Sequence, residues 1–193
     1  MKADYWSIFF NTALYRRIGS LPEKDAVRLI REPVKDHLNY DDLAVEQILT
    51  MTGRQPYLIQ LLCRTIVNEL NNNKKRNDAL VNDVDDAVEQ IIAEDNDNFS
   101  KEAWKEAGHL ERMILSAAAE ELTLKHLERV NLEDILDKIA PLVRDFSREA
   151  AVDTLDKLVT GEILMEKNLN YFFIVNMTRK WIASRHPLRK VRG

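Results

Sequence analysis

The stretch Glu162-Ile163-Leu164-Met165-Glu166-Lys167-Asn168-Leu169-Asn170-Tyr171-Phe172-Phe173-Ile174-Val175 changes the period of the chain. Before it, apolar residues recur at helical spacing. Within it, β-branched and aromatic residues form two short runs around Asn168-Leu169-Asn170, which predicts a β-hairpin. Working outward, Ser147-Arg148-Glu149-Ala150 has the form of a capped helix entry, and the helix it opens buries Ala151, Leu155, Leu158 and Val159 before Gly161. Upstream, Leu132, Ile135, Leu136 and Ile139 before Pro141, and Leu110, Met113, Ile114, Ala117 and Ala118, give two more helices. Three helices followed by a hairpin is the order of a winged helix. Downstream, a last helix over about Thr178 to Arg185 ends before Pro187. Alternation along the second strand places at least one of Tyr171, Phe172 and Phe173 in the core.

The first half is helical throughout. Ser20-Leu21-Pro22-Glu23 supplies a capping residue, a first-turn proline and an acid at the positive end of the dipole, so a helix is expected from Pro22 to Arg31, with Pro33 stopping it. A second begins at Asp41-Asp42, turns Leu43, Val45, Ile48 and Leu49 inward and ends at Gly53. A third runs from Pro56 to Leu70, where the tract from Asn71 to Asn77 reads as a solvated loop. A fourth follows Asn82 or Asp83 and carries Val84, Ala87, Val88, Ile91 and Ile92. Ser100 is placed to cap a further turn through Trp104 to Ala107, and Gly108 marks a change of module. The opening, from Lys2 to Asn11, is aromatic and apolar without a polar lead-in, and Tyr15 to Ile18 suits a short strand. The expectation is a truncated chain, the alternative being an N-terminal surface that protein outside the chain covers.

Five glycines and five prolines in 193 residues agree with long helices, because β-rich folds need more turn residues. No apolar run approaches the roughly 18–20 residues of a membrane span, and no signal-peptide pattern opens the chain, so a cytoplasmic location is expected. The lone Cys63 lies in an apolar run, excludes an internal disulfide and reads as packing. Adjacent acids such as Glu120-Glu121 and Asp85-Asp86 diverge by about 100° on a helix and read as solvated faces.

Catalytic patterns are missing from the sequence. None of the five glycines is followed by lysine, so there is no Gly-x-x-x-x-Gly-Lys-Ser/Thr loop to cradle phosphate. His37, His109, His126 and His186 are scattered without metal-ligand spacing, and no serine sits in a Gly-x-Ser-x-Gly elbow. No catalytic or metal-binding residue is assigned. The informative segment is Thr52-Gly53-Arg54-Gln55-Pro56-Tyr57-Leu58-Ile59-Gln60-Leu61-Leu62-Cys63. Glycine ends one helix there and proline opens the next, leaving backbone amides at a helix start beside Arg54. That arrangement suits phosphate; a plain helix-to-helix corner is the competing reading.

The segment resembles the Gly-x-x-Pro-Tyr-x-x-Gln-x-Leu sequence in the lid of STAND-type signalling ATPases, relatives of the AAA+ class. Leu14-Tyr15-Arg16-Arg17-Ile18-Gly19-Ser20-Leu21-Pro22 and Leu29-Ile30-Arg31-Glu32-Pro33-Val34 are similar to that family's link from nucleotide-binding core into lid. The resemblance implies a mainly α fold, a helical lid bundle followed by a winged-helix domain with a small β-hairpin wing. Residues 1–20 would be the tail end of a missing P-loop core, 21–107 the lid, and 108–193 the winged helix with its C-terminal helix and basic tail. It further implies a regulatory part of a nucleotide-dependent switch in signal transduction, not itself an enzyme. The corner Gly53, Arg54, Gln55 and Pro56 would face ATP or ADP held by the missing core; the family pattern does not fix an arginine at this corner, and Arg54 is the candidate phosphate sensor on its own position beside the helix start. The chain itself would carry no cofactor. Its partners would be that core, and other proteins or a second copy through the apolar N-terminal segment.

A winged helix also raises the question of DNA. The exposed side of its third helix is expected to offer Arg148, Glu149, Asp153, Asp156 and Lys157, a face that repels phosphates on balance. The tail is the better candidate for nucleic-acid or partner contact, through Arg179, Lys180, Arg185, Arg189, Lys190 and Arg192. The competing function is therefore a free-standing DNA-binding regulator with a helical dimerisation domain.

Overall fold

The computed structural model describes residues 19–94 and 101–191. The expectations for Lys2 to Asn11, for the strand at Tyr15 to Ile18, for a Ser100 cap and for Arg192 lie outside the described residues. The first helical unit is built from α1 (Glu23–Arg31), α2 (Asp42–Thr52), α3 (Pro56–Glu69) and α4 (Val81–Glu94). After a short α5 (Lys101–Glu106) come α6 (His109–Leu124), α7 (Leu132–Ile139), α8 (Arg148–Thr160), α9 (Asn176–Arg185) and α10 (Leu188–Val191). The strands are β1 (Asn39–Tyr40), β2 (Asp78–Ala79), β3 (Val130–Asn131), β4 (Leu164–Lys167) and β5 (Asn170–Phe173). The protein is mainly α.

Local chemistry explains most boundaries. Asp41 accepts the Leu43 amide at 2.9 Å, Asn131 accepts that of Glu133 at 2.9 Å, and Ser147 accepts that of Ala150 at 3.2 Å, starting α2, α7 and α8 respectively. At α1 the cap falls on Pro22 without a side-chain hydrogen bond, so Ser20 does not take the role its residue type suggested. Leu43, expected inward, is exposed, because Ala44, Ile48, Met51 and Thr52 share the buried stripe of α2. The polar tract after α3 is not wholly loop: Leu70–Lys74 forms a π-helical turn, closed where the Lys75 amide donates to the Leu70 carbonyl at 2.6 Å. β1 and β2 pair in parallel, Asn39 with Asp78 and Tyr40 with Ala79, and close the loops on either side of α2 and α3.

The C-terminal half has the order α6-β3-α7-α8-β4-β5, with the three-stranded antiparallel sheet ordered β3-β5-β4. That is winged-helix topology. The hairpin pairs Leu164 with Phe173 and Lys167 with Asn170, leaving Asn168 and Leu169 as a two-residue turn, one shorter than expected. Their φ angles of 54° and 58° are those of a type I′ turn, whose twist matches the flanking strands. Glu166 steadies it by accepting the Leu169 amide at 2.6 Å. Tyr171 and Phe173 are buried while Phe172 between them is half-buried, the alternation of a strand with one face on the core.

α6 is the central helix, with every residue from Met113 to Ala119 buried, and it packs against α7, α8, α9 and α10. Glu121 corrects the reading of the Glu120-Glu121 pair as a solvated face. Its carboxylate is buried and pairs with Lys125 and, at 2.8 Å, with Lys138 of α7, while Glu120 accepts the Leu188 amide at 2.7 Å. Cys63 is half-buried and its thiol is pushed up to about 11 by burial next to Tyr40. α9 packs against α2 and α4 on one side and α6 on the other, and one continuous set of buried apolar residues runs through both halves.

Candidate functional site

The corner between α2 and α3 is shaped by two consecutive left-handed residues. Gly53 has φ +56° and Arg54 φ +59°, which stops α2 and redirects the chain before Pro56 fixes the first turn of α3. The corner is pinned from both sides: the Gln55 amide donates to the Thr52 carbonyl at 3.1 Å, and the Leu21 amide donates to the Arg54 carbonyl at 2.9 Å. Thr52 is buried and donates to the Ile48 carbonyl at 2.7 Å. Among the described residues no side chain caps α3 and no acid lies in its first turn, so the positive end of this 14-residue helix has no compensating charge of its own. Arg54 is exposed there and, among the described residues, makes no hydrogen bond or ion pair through its side chain. Gln55 and Pro56 are half-buried.

Gly53 does more than turn the chain. A Cβ at that position would stand 2.4 Å from the Ile174 carbonyl oxygen and 3.1 Å from the Val175 Cγ2, so the corner rests directly on the end of β5. Asn176 adds a 3.4 Å contact from its side-chain amide to the Thr50 carbonyl. The sequence pointed to the corner but carried no sign of its neighbour. A cleft of about 720 Å³ opens beside it between α1, α2 and the wing, with Glu23, Asp42, Glu46 and Arg54 among its charged residues. Asp42 is already paired with Arg31 at 2.5 Å, and Glu23 and Glu46 against the one guanidinium of Arg54 make that cleft a poor seat for phosphate. The outward tip of α3 is electrostatically the better side.

Among the described residues, the five tail cations from Arg179 to Lys190 have different surroundings. Arg185 donates to the Ile92 and Ala93 carbonyls, both at 2.9 Å, so it caps the C-terminus of α4. Lys180 lies 3.6 Å from Asp85, which also accepts from Gln47 at 2.8 Å and so ties α9, α4 and α2 together. Arg179 turns inward, bonded to Asn176 and Thr123, and burial holds its pKa below the usual guanidinium value. Arg189 and Lys190 on α10 are exposed. On α8, Arg148 is clasped by both oxygens of Glu133 at 2.8 and 2.5 Å, which leaves Glu149, Asp153 and Asp156 against Lys157 on the exposed face. Among the described residues no group of three or more His, Cys, Asp or Glu side chains is placed to hold a metal ion, and no helix is long and apolar enough to cross a membrane.

Fold and site together define a mainly helical protein that joins a helical bundle to a winged helix through one bridging helix. No protein-family model matches the chain, and no curated protein matches it in sequence. Among solved structures it is similar to a chain of the Drosophila ORC bound to DNA, at 15% identity over 86% of this chain and 45% of that one, with a TM-score of 0.39. It is also similar to Cdc6p from Pyrobaculum aerophilum, at 14% identity over 91% of this chain and 49% of that one, with a TM-score of 0.47. The chain therefore spans about half the length of the structures it matches.

Proposed function

We propose that this chain is the regulatory part of a nucleotide-dependent switch ATPase, a helical lid and winged helix acting with a P-loop core that the chain does not contain. The observation that carries the reading is the corner at Gly53 to Pro56. An uncapped helix start, an acid-free first turn and an exposed Arg54 whose side chain has no partner among the described residues form a donor set for an anion presented from outside the chain. The contact of Gly53 with Ile174 supports the regulatory half of the proposal, because a shift at the corner is transmitted to the wing through backbone in van der Waals contact. In this role the chain relays the nucleotide state and performs no hydrolysis.

The test is calorimetric titration of ATP and of ADP into this chain and into the longest upstream extension that the reading frame permits. Binding is expected only in the extended protein, and Arg54→Ala there should weaken it about tenfold, the effect of losing one charge-assisted contact. Unchanged affinity and turnover in the Arg54→Ala protein, or no binding in either polypeptide, would sink the reading. The exposed Arg189 and Lys190 favour a second reading, a DNA-binding regulator that also uses the tail. DNA affinity that is micromolar or better and falls steeply with salt would put it first, whereas the acidic face of α8 argues against groove recognition.

A further inference from the structure

An open groove of about 880 Å³ runs between the C-terminal ends of α4 and α6 and the outer side of α9, a size that accommodates small organic ligands. Ile92, Leu122, Leu127 and Ala183 give it an apolar wall. Arg179 enters it half-buried. Its Nε donates to Asn176 Oδ1 at 3.0 Å and its Nη1 to Thr123 Oγ1 at 3.0 Å. A guanidinium carries five N–H donors, so these two bonds, both to neutral oxygens, leave one N–H of Nη1 and both of Nη2 without a partner among the described residues. No carboxylate lies within ion-pair distance of it among the described residues. Desolvation already penalises the charge, as the lowered pKa reflects.

The other charged groups around the groove are committed or peripheral. Lys180 is held by Asp85 and Arg185 by the α4 carbonyls, while His126, Glu89 and Glu128 stand exposed at the rim. One available guanidinium fork with two acids at the rim suits a single negative charge better than a phosphate dianion. We propose that the groove is a binding site for a small organic carboxylate with an apolar body, gripped by the Nη1–Nη2 fork of Arg179, its hydrocarbon lying on Ile92, Leu122, Leu127 and Ala183. Such a ligand touches α4 on one side and α6 and α9 on the other, so its occupancy stiffens the junction between the helical bundle and the winged helix. The site is independent of the nucleotide corner and does not rest on that reading.

Hexanoate, its neutral isostere hexanamide and hexyl phosphate are titrated into isotope-labelled protein, with nuclear magnetic resonance reading the Arg179 Nε–H and the backbone amides of 122–127 and 183–185. Hexanoate is expected to saturate with a dissociation constant on the order of millimolar, a value suited to so small a ligand. Hexanamide and hexyl phosphate should each bind about tenfold more weakly. Arg179→Gln removes the fork and Ala183→Trp fills the groove without touching the charge; each should reduce hexanoate binding at least about tenfold, while Arg189→Gln leaves it unchanged. Equal binding of hexanoate and hexanamide would overturn the proposal. So would hexanoate binding retained in either groove variant, tighter binding of the phosphate, or no saturable shift up to about 50 mM. If Arg179→Gln fails to fold, Ala183→Trp and the isostere comparison decide the matter.

Discussion

Adding one methyl group at Gly53 sets two penalties against the fold. The first is the left-handed backbone at φ +56°, which costs an L side chain about 1 kcal/mol or more. The second is the Ile174 carbonyl oxygen 2.4 Å away, a backbone atom that cannot swing aside as a side-chain tip can. Together they should make Gly53→Ala destabilising by roughly 2–4 kcal/mol in urea unfolding. Gly108 is the control: an added Cβ there meets nothing closer than the Glu111 Oε2 at 3.5 Å, and Gly108→Ala should cost less than about 1 kcal/mol. Similar costs for the two variants would mean that Gly53 is not wedged against the wing. The sequence marked Gly53 as a turn, because glycine before a proline-led helix is a local signal. That the turn also touches Ile174 depends on tertiary packing, which no local pattern encodes.

At the scale of elements, Glu121 shows how a buried charge joins two helices. It pairs with Lys125 on its own helix α6 and with Lys138 on α7, and these bonds hold its pKa below the ordinary glutamate value despite burial. A carboxylate with a depressed folded pKa stabilises the fold above its unfolded pKa, and the contribution is lost as pH falls through the folded value. Glu121→Gln should therefore cost about 2 kcal/mol at pH 7, with the gap to wild type closing as the pH drops below about 4. A gap that stays constant across that range would mean the cost is packing rather than charge. Periodicity could identify α6 and α7 but not this pair, since Glu120-Glu121 reads as a solvated doublet until the orientation of α7 is known. The two-residue strands β1, β2 and β3 were illegible for a related reason. Too short to show alternation, they exist because neighbouring helices bring their backbones together. The hairpin β4–β5 was legible because its aromatic and β-branched runs are local and its turn is closed by consecutive residues.

For the molecule as a whole, the question is whether the helical bundle and the winged helix are two cores or one. The sequence places a boundary at Gly108, where one helical pattern ends and the next begins. Across that boundary α9 sends Met177, Trp181 and Ile182 into a shared interior, Arg185 caps α4, and Lys180 reaches Asp85. Trp104 stands 6.0 Å from Trp181, edge to face, and stacks on His186 at 4.3 Å, so two indoles report directly on the junction. With the third tryptophan replaced, as Trp6→Phe, fluorescence follows the junction while far-UV circular dichroism follows all the helices. A continuous core predicts that the two signals lose structure at the same urea concentration, to within about 0.2 M, because opening the junction exposes apolar surface that neither half can shield alone. Fluorescence changing first, at a distinctly lower midpoint, would show two separately folding units held by a weak interface. In that case α9 would be a hinge between them rather than a shared core element.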